Sequence, residues 1–269
     1  MSNVSVKDVQ AAASKILKEL VEVFEKHNLR YVVCFGSLLG AIRHKGFIPW
    51  DDDLDIVMPR EDFEKFRAMA ADVLPEHLFF QDYTTDGEYP ARTAKVRDNN
   101  TTMIENGYRK LRKMNHGIFV DIFVADYYAP GKMNKLRLQT IRAIKSILIA
   151  QKVYNAGKVK QAIAKMFPRN AMFKKSEKML KSLDKKNAKK KYIIDCAYIF
   201  DADMFDGAVL TEFEDFFVRV PKNSHEILTG MYGDYMQLPP EEKRVPLHMT
   251  EHISCDIPFK QYLEDNKDL

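Results

Sequence analysis

The residues of this chain best suited to chemistry lie between Gly36 and Phe63. The segment reads GSLLGAIRHKGFIPWDDDLDIVMPREDF and places a Gly-Ser pair upstream of aspartates at positions 51, 52, 53 and 55. Asp53 and Asp55 alternate with apolar residues, which predicts a strand that carries both carboxylates on one face. Two carboxylates on one face repel each other unless a cation lies between them, and Mg²⁺ or Mn²⁺ prefers such oxygen ligands. The segment therefore predicts a metal and phosphate site.

A third carboxylate, Asp121, lies within the apolar segment GIFVDIFV at 117–124. An unpaired carboxylate in such a strand is costly, so Asp121 is either half of a buried ion pair or a site residue. The upstream aspartates favour the site. Three carboxylates from two neighbouring strands would hold one or two divalent ions that stabilise charge on a transferring phosphoryl group. Asp121 could also orient or deprotonate an attacking hydroxyl.

The Gly36-Ser37 pair lies where a predicted strand (31–35) passes into a short predicted helix (38–43). Gly36 would let a ligand approach the backbone, and Ser37 is expected to cap the helix. Free N–H groups at a helix start attract phosphate. A Gly-Ser pair alone more often marks only a turn.

The elements that must position these residues alternate between helical and strand patterns. Apolar spacing predicts helices at 6–27, 61–74 and 224–232. Strands are predicted at 31–35, 53–58, 78–83, 91–97, 117–124, 192–199 and 213–220. The chain is therefore expected to be an α+β protein with a sheet flanked by helices.

Composition limits the class of protein. A chain of 269 residues with 46% hydrophobic content can bury a sizeable core. The three cysteines are far apart and predict no disulfide framework, and no secretory signal or bilayer-spanning segment is visible. We expect a cytoplasmic protein. His248 and His252 with nearby Cys255 could suggest zinc, but without a fourth ligand His248 is better explained as a pocket residue.

The segment from Lys132 to Lys191 is strongly basic. It holds 19 Lys and Arg residues against Glu177 and Asp184, whereas the remainder holds 23 basic and 36 acidic residues. Its apolar residues follow a helical spacing, which predicts a basic helical insert at 132–191 between a catalytic core at 1–131 and a completing part at 192–269. The insert could be merely solvated, or it could bind an anionic membrane or glycan. Nucleic acid is disfavoured because aromatic residues are few.

The order of a strand, a Gly-Ser helix, an Asp-x-Asp strand and a later single-acid strand is the signature of the nucleotidyltransferase fold. The Gly36–Phe63 segment more closely resembles the core motif of the LicD family, which includes the fukutin-like glycan phosphotransferases. Later blocks match in order: KVRD at 95–98 with TT at 101–102, FVDIFVAD at 119–126, and YGDYMQLPP at 232–240 followed by Arg244 and His248.

This resemblance implies a bacterial phosphocholine transferase. Such an enzyme moves phosphocholine from CDP-choline to a sugar hydroxyl of a surface glycan precursor, of teichoic acid or lipopolysaccharide type, and releases CMP. Asp53, Asp55 and Asp121 would be the catalytic metal carboxylates, with Asp51 an additional candidate ligand and Mg²⁺ or Mn²⁺ the cofactor. Gly36 and Ser37 would face the diphosphate.

The resemblance also suggests the substrate-binding residues. Phosphate oxygens would be bound by Arg43, His44 and Lys45 and, from a neighbouring strand, by Lys95 and Arg97. A quaternary ammonium is held by aromatic faces, for which Trp50 is the first candidate, followed by Tyr83, Tyr89, Tyr108, Tyr127 and Tyr128. A lipid-linked or anionic acceptor would place the enzyme peripherally at the inner face of the membrane, with the basic insert in contact.

Two alternatives remain open at this point. One is a nucleotidyltransferase that attaches a nucleotide to a small molecule or polymer. The other is a non-catalytic glycan- or membrane-binding member of the fold, against which three costly carboxylates argue. The transferred group itself could be choline, ethanolamine, glycerol or ribitol phosphate.

Overall fold

A computed structural model describes residues 4–151, 162, 164, 166–184, 186, 188–246 and 250–267. The described helices are α1 (Val6–Lys26), α2 (Phe35–His44), α3 (Arg60–Val73), α4 (Lys132–Ala150), α5 (Arg169–Lys181), α6 (Ser224–Tyr232) and α7 (Phe259–Asp265). The described strands are β1 (Val32–Val33), β2 (Asp55–Pro59), β3 (Leu78–Gln81), β4 (Ala94–Asp98), β5 (Thr102–Glu105), β6 (Phe119–Tyr127), β7 (Lys191–Ile194), β8 (Tyr198–Asp201), β9 (Val209–Phe213), β10 (Phe216–Val220) and β11 (Thr250–Ser254).

The central sheet is mixed and is organised around β6. Its strands follow the order β1-β2-β6-β4-β3, and β7 and β8 continue it beside the second half of β6. The β2–β6 pair is parallel, whereas the other described pairs of this sheet are antiparallel. The first half of β6 pairs with β4 and the second half with β7, because β6 spans nine residues. The expected α+β fold with a mixed sheet and flanking helices is confirmed.

Helix α1 forms as its sequence predicts. Ser5 and Asp8 form a capping box, in which the Asp8 N–H donates to Ser5 Oγ (3.3 Å) and the Ser5 N–H donates to Asp8 Oδ2 (2.8 Å). The apolar face of the helix lies in the main core, which also takes in the apolar side chains of α3, β2, β4 and β6. This core fixes the strands that carry the acidic residues.

Two predicted single strands are hairpins instead. The segment 192–199 turns back at Asp195 and Cys196, where φ is 47° and 62°, so that β7 pairs with β8. The segment 213–220 begins in a turn at Glu214, where φ is 53°, and β9 pairs with β10. Left-handed backbone at residues other than glycine gives no clear turn signal in the sequence. The strands β5 and β11, which pair with each other, were not predicted.

The described part of the basic segment 132–191 contains helices α4 and α5, whereas residues 188–190 are not helical and Lys191 begins β7. Helix α4 packs against α5, and α5 lies against β6. Glu177 of α5 accepts hydrogen bonds from Arg60, Arg67 and Tyr83. The described residues of this segment are therefore tied to the body of the protein, while residues 152–161 lie outside the described part of the chain. None of the described helices combines the length and apolar character that crossing a bilayer requires.

Candidate active site

Three carboxylates converge at the start of the parallel pair β2–β6. Asp55 is the first residue of β2 and lies opposite Asp121 in the register of the two strands. Asp53 precedes β2 by two residues, and one carboxylate oxygen of each of these three residues lies within 4.8 Å of the others. Asp51, Asp52 and Asp53 form a second group of the same kind. The alternation along the sequence thus places Asp53 and Asp55 on a common side.

The electrostatics of this group are unfavourable for three bare carboxylates. Asp55 is 8% exposed and Asp121 is 7% exposed. Burial, followed by the charges of Asp53, Asp121 and Asp51, raises the pKa of Asp55 well above its usual range. Burial also raises the pKa of Asp121, against the opposing effect of Lys95. Both carboxylates would be more readily ionised if a cation lay between them.

The donor set fits a divalent cation. Mg²⁺ and Mn²⁺ bind hard oxygen ligands, and Asp55 of β2, Asp121 of β6 and Asp53 just before β2 supply such oxygens. Among the described residues no histidine or cysteine belongs to a comparable group, while His248, which the zinc interpretation joins to His252 and Cys255, lies outside those residues. The His252 ring is instead stacked on Tyr262, with ring centroids 3.9 Å apart.

Ser37 is part of the acidic centre, although not as a helix cap. The prediction that Ser37 caps α2 is wrong, because α2 begins at Phe35 after Cys34, which makes no side-chain cap bond. Ser37 Oγ instead accepts a hydrogen bond from the Asp55 N–H (2.7 Å) and so fixes the start of β2. A Cβ atom at Gly36 would lie 2.7 Å from Asp51 Oδ2, which explains the need for glycine there. The Asp51 carboxylate therefore lies against the first turn of α2.

Lys95 and Arg97 lie on the same face of β4 but in different surroundings. Lys95 Nζ is 3.1 Å from Asp121 Oδ2 and lies over the Phe119 ring, 3.2 Å from its centroid. Arg97 has no exposed surface, and its guanidinium donates to Gln81, to the Gly117 carbonyl and to Glu105. We therefore assign Arg97 a structural role in the interior, while Lys95 is the cation at the acidic centre.

A second basic group lies at the end of α2. The Arg43 Nε–H donates to His44 Nε2 (2.8 Å), and Arg43 NH1 donates to the Tyr235 carbonyl (2.6 Å). Burial and the Arg43 charge lower the pKa of His44, which keeps its ring neutral and able to accept this bond. Burial also lowers the pKa of Arg43, and no described carboxylate offsets its charge. This group is suited to an anionic ligand.

The remaining predicted ligands are dispersed. Lys45 takes a left-handed conformation after α2, and its exposed side chain extends to Glu212 (3.0 Å). Trp50 lies between His44, whose ring centroid is 6.5 Å away, and Arg244, whose guanidinium carbon is 5.7 Å from the Trp50 ring centroid. His248 lies outside the described residues.

Most of the tyrosines considered for choline are used by the protein itself. Tyr83 is stacked on Phe173 and Tyr127 on Tyr192, while Tyr89 and Tyr128 are buried and Tyr108 is partly buried. Three further residues near the site are not indicated by the sequence pattern: Glu105, which pairs with Lys95 and Arg97, and the half-exposed Tyr198 and Tyr232. Tyr232 could have been noticed because it begins the YGDYMQLPP block.

Comparisons with known proteins agree with this geometry. Residues 28–142 match the family model described as LicD/FKTN/FKRP, nucleotidyltransferase domain, and this range includes all three converging carboxylates. The lipopolysaccharide cholinephosphotransferase LicD of Haemophilus influenzae is 29% identical over 276 residues, which cover 93% of this chain and 98% of that protein. The ribitol 5-phosphate transferases FKRP of human and mouse are each 37% identical over 82 residues, or 29% of this chain and 17% of theirs.

Proposed function

The chain is a phosphotransferase of the LicD family, and we propose that it transfers phosphocholine from CDP-choline to a sugar hydroxyl of a cell-surface glycan precursor, with release of CMP. The observation that carries the proposal is similarity to a cholinephosphotransferase along nearly the whole chain, including the strands that hold the acidic centre. The proposed acceptor is a lipid-linked or anionic glycan precursor, of teichoic acid or lipopolysaccharide type.

The reaction forms one bond and breaks one. The acceptor hydroxyl oxygen attacks the phosphorus that carries choline, and the bond from that phosphorus to the oxygen of CMP breaks. The hydroxyl proton needs a base, for which Asp121 is our candidate, and Lys95 favours the ionised form of that carboxylate. Asp53, Asp55 and Asp121, together with Asp51 as an additional ligand, would hold Mg²⁺ or Mn²⁺, which when bound neutralises charge on the phosphates.

The leaving CMP requires cations that carboxylates of the protein have not neutralised. Arg43 meets this requirement among the described residues, and His44 orients its guanidinium through the Nε–H bond. Arg guanidinium groups bind phosphate oxygens through paired N–H donors. We therefore assign Arg43 to the nucleotide phosphate, at the opposite end of the helix whose first turn holds Gly36 and Ser37.

The basic segment 132–191 is proposed as an appendage to a catalytic unit made of residues 1–131 and 192–269. Its described lysines, carried mainly by α4 and α5, would attract an anionic membrane surface or an acceptor that already carries phosphate, at about 1 kcal/mol per basic residue near the surface. This arrangement would bring the enzyme to the inner face of the membrane, where a lipid-linked acceptor lies.

A donor panel tests the proposed activity. Purified protein is incubated with Mg²⁺ or Mn²⁺, a glycan acceptor, and CDP-choline, CDP-ethanolamine, CDP-glycerol or CDP-ribitol in separate reactions, and CMP release is measured. We expect the fastest release from CDP-choline, with phosphocholine found on the acceptor by mass spectrometry. A nucleotide on the acceptor would instead show a nucleotidyltransferase, and no product from any donor would support a non-catalytic binding protein.

A second candidate group is ribitol phosphate. The observation that favours it is the similarity of 82 residues to ribitol 5-phosphate transferases, although the match covers 17% of those proteins. Preferred release of CMP from CDP-ribitol in the same panel would replace choline by ribitol while leaving the phosphotransferase chemistry unchanged.

A further inference from the structure

Three aromatic residues lie beside the acidic centre on the side of β1 and α2. Tyr198 and Tyr232 are each 44% exposed. The Tyr198 ring centroid is 4.9 Å from that of Phe35, which in turn is 5.0 Å from that of Phe123. We call Phe35, Tyr198 and Tyr232 the aromatic wall. Its two tyrosines offer open aromatic surface, unlike the buried or internally stacked tyrosines of the sequence prediction.

The backbone at Phe35 is unusual for so large a residue. Its φ is 52°, and it lies directly before Gly36 at the start of α2. Left-handed backbone is unfavourable for a bulky residue, and such strain persists where the surrounding structure requires it and clusters at functional sites. Here the ring is held between Phe123 and Tyr198. The strained residue therefore fixes an aromatic ring next to the first turn of the helix that meets Asp51.

Tyr232 lies close to the same carboxylates. It is in the last turn of α6, and α6 packs against α2. Helix α2 begins directly after Cys34, whose N–H donates to the Asp55 carbonyl (3.0 Å), and its first turn lies against the Asp51 carboxylate. Burial, followed by the nearby Cys34, Asp55 and Asp51, also raises the pKa of Tyr232. The wall thus borders the site where the transferred phosphorus would lie.

We propose that the aromatic wall binds the trimethylammonium group of the donor and thereby selects choline over ethanolamine. This inference rests on the proposed function. The choline nitrogen is joined to phosphorus through one oxygen and two carbons, a span of roughly 5 Å from bonds of about 1.5 Å. A phosphorus held at the acidic centre would therefore place the cation within one side-chain length of the centre, which is where the wall lies.

The chemistry of the wall matches this cation. A quaternary ammonium has no N–H donor, so aromatic faces and a negative surrounding potential are what can hold it. The wall supplies the faces, next to the helix turn that borders the acidic centre. A primary ammonium needs hydrogen-bond acceptors in place of its water shell, and exposed aromatic rings give it few. The wall therefore discriminates between the two groups by chemistry rather than by size.

The test compares ring removal with ring retention. Tyr198→Leu and Tyr232→Leu remove an aromatic face, whereas Tyr232→Phe keeps the face and removes the hydroxyl. Phe217→Leu is the matched control, because Phe217 is 56% exposed on β10 and lies outside the wall. Affinities for phosphocholine and phosphoethanolamine are measured by titration calorimetry with Mg²⁺, and CMP release from CDP-choline and CDP-ethanolamine is measured in parallel.

We expect the wild-type protein to prefer phosphocholine. Each Tyr→Leu variant should reduce that preference by about tenfold, while Tyr232→Phe and Phe217→Leu preserve it. An unchanged preference in both Tyr→Leu variants, or no preference in the wild-type protein, would overturn the inference. Selective phosphocholine binding without CMP release would count against the proposed transfer and would leave the wall supported, so the two failures are distinguishable.

Discussion

Asp55 and Asp121 lie directly opposite each other on the parallel strands β2 and β6, where parallel register places their side chains on one face. The pair is buried, and each carboxylate raises the cost of ionising the other. A protein would gain nothing from this arrangement for stability alone, because buried like charges destabilise the fold. The pair is therefore best explained by a ligand that brings positive charge.

Asp55→Asn should separate activity from stability. The raised pKa of Asp55, caused by burial and by three neighbouring carboxylates, means that its ionised form destabilises the metal-free fold at neutral pH. The amide removes this charge, so we expect a higher Tm without metal and a loss of CMP release of roughly 10²-fold or more. Calorimetry and the CMP assay measure the two effects. Asp215→Asn, which removes the charge from an exposed ion pair with Lys18, is the control. Unchanged turnover in Asp55→Asn would contradict the role of Asp55 in the active site.

Divalent metal should stabilise the protein through the same carboxylates. A ligand at one hundred times its Kd stabilises the folded state by about 2.7 kcal/mol, which corresponds to a Tm increase of about 5 °C or more for a chain of this size. We expect Mg²⁺ or Mn²⁺ to give this increase in the wild-type protein and EDTA to reverse it. The increase should be small in Asp53→Asn. An equal increase in that variant would place the metal elsewhere.

The sequence predicts the acidic centre better than its surroundings. The alternation of Asp53 and Asp55 with apolar residues is a local pattern, and local patterns determine which face of a strand a side chain occupies. The contact between Lys95 and Asp121 depends instead on the register of β4 against β6, which places residues 26 positions apart together. Local spacing cannot supply that register.

Arg97 and two turns differ from their predicted roles for related physical reasons. Arg97 alternates with Lys95 and was expected to bind the same phosphate, but Glu105 from the unpredicted strand β5 pairs with it in the interior. The strand β5 is short and pairs with β11, whose residues lie far away in the chain. Turns at Asp195 and Glu214 were missed because neither carries a glycine. The spacing of apolar and polar residues determines neither the pairing of distant strands nor turns that lack glycine.

Lys95→Met should shift the pH dependence of activity. The Lys95 charge lowers the pKa of Asp121, against the effect of burial, and the ammonium is 3.1 Å from that carboxylate. Without it the pKa of Asp121 rises, so the acidic limb of kcat/KM, which requires ionised Asp121, should move to higher pH. The profile is measured with CDP-choline at saturating metal. Lys18→Met serves as a control for net charge, and a limb that stays in place would show that Lys95 does not act through Asp121.

Glu177→Gln should weaken the attachment of α5. Glu177 accepts from Arg60 (3.1 Å), Arg67 (2.9 Å) and Tyr83 (2.8 Å) in a largely buried position. Burial opposes its ionisation, but Arg67, Tyr83 and Arg60 together keep the pKa of Glu177 below its usual value. Removing the charge leaves two buried guanidinium groups less compensated, and we expect a loss of about 2 kcal/mol in the free energy of unfolding by urea titration.

Glu64→Gln is the matched control for this change. Glu64 also contacts Arg60, at 3.4 Å, and Lys181 of α5, at 2.8 Å, but both the Glu64 and the Lys181 side chains are exposed, so its loss should cost less than about 1 kcal/mol. Equal losses in the two variants would contradict a special role for Glu177. A loss confined to Glu177→Gln would show that this residue links the basic segment to the body of the protein.

His116 should make the fold sensitive to mild acid. The residue is buried, its Nε2 lies 3.0 Å from the Leu111 carbonyl, and burial together with the Arg97 charge lowers the pKa of His116 to about 4. The unfolded chain takes up this proton near pH 6.5, so stability is complete above that pH and is lost progressively between about pH 6.5 and 4, by about 3 kcal/mol. Urea unfolding of the wild-type protein and His116→Gln at pH 7.5 and 5 measures the effect. The His116→Gln variant retains a donor for the Leu111 carbonyl and should lose less stability on acidification than the wild-type protein. His27→Gln is the control for the loss of a histidine charge at the end of α1. Equal losses in all three proteins would assign the acid sensitivity to other groups.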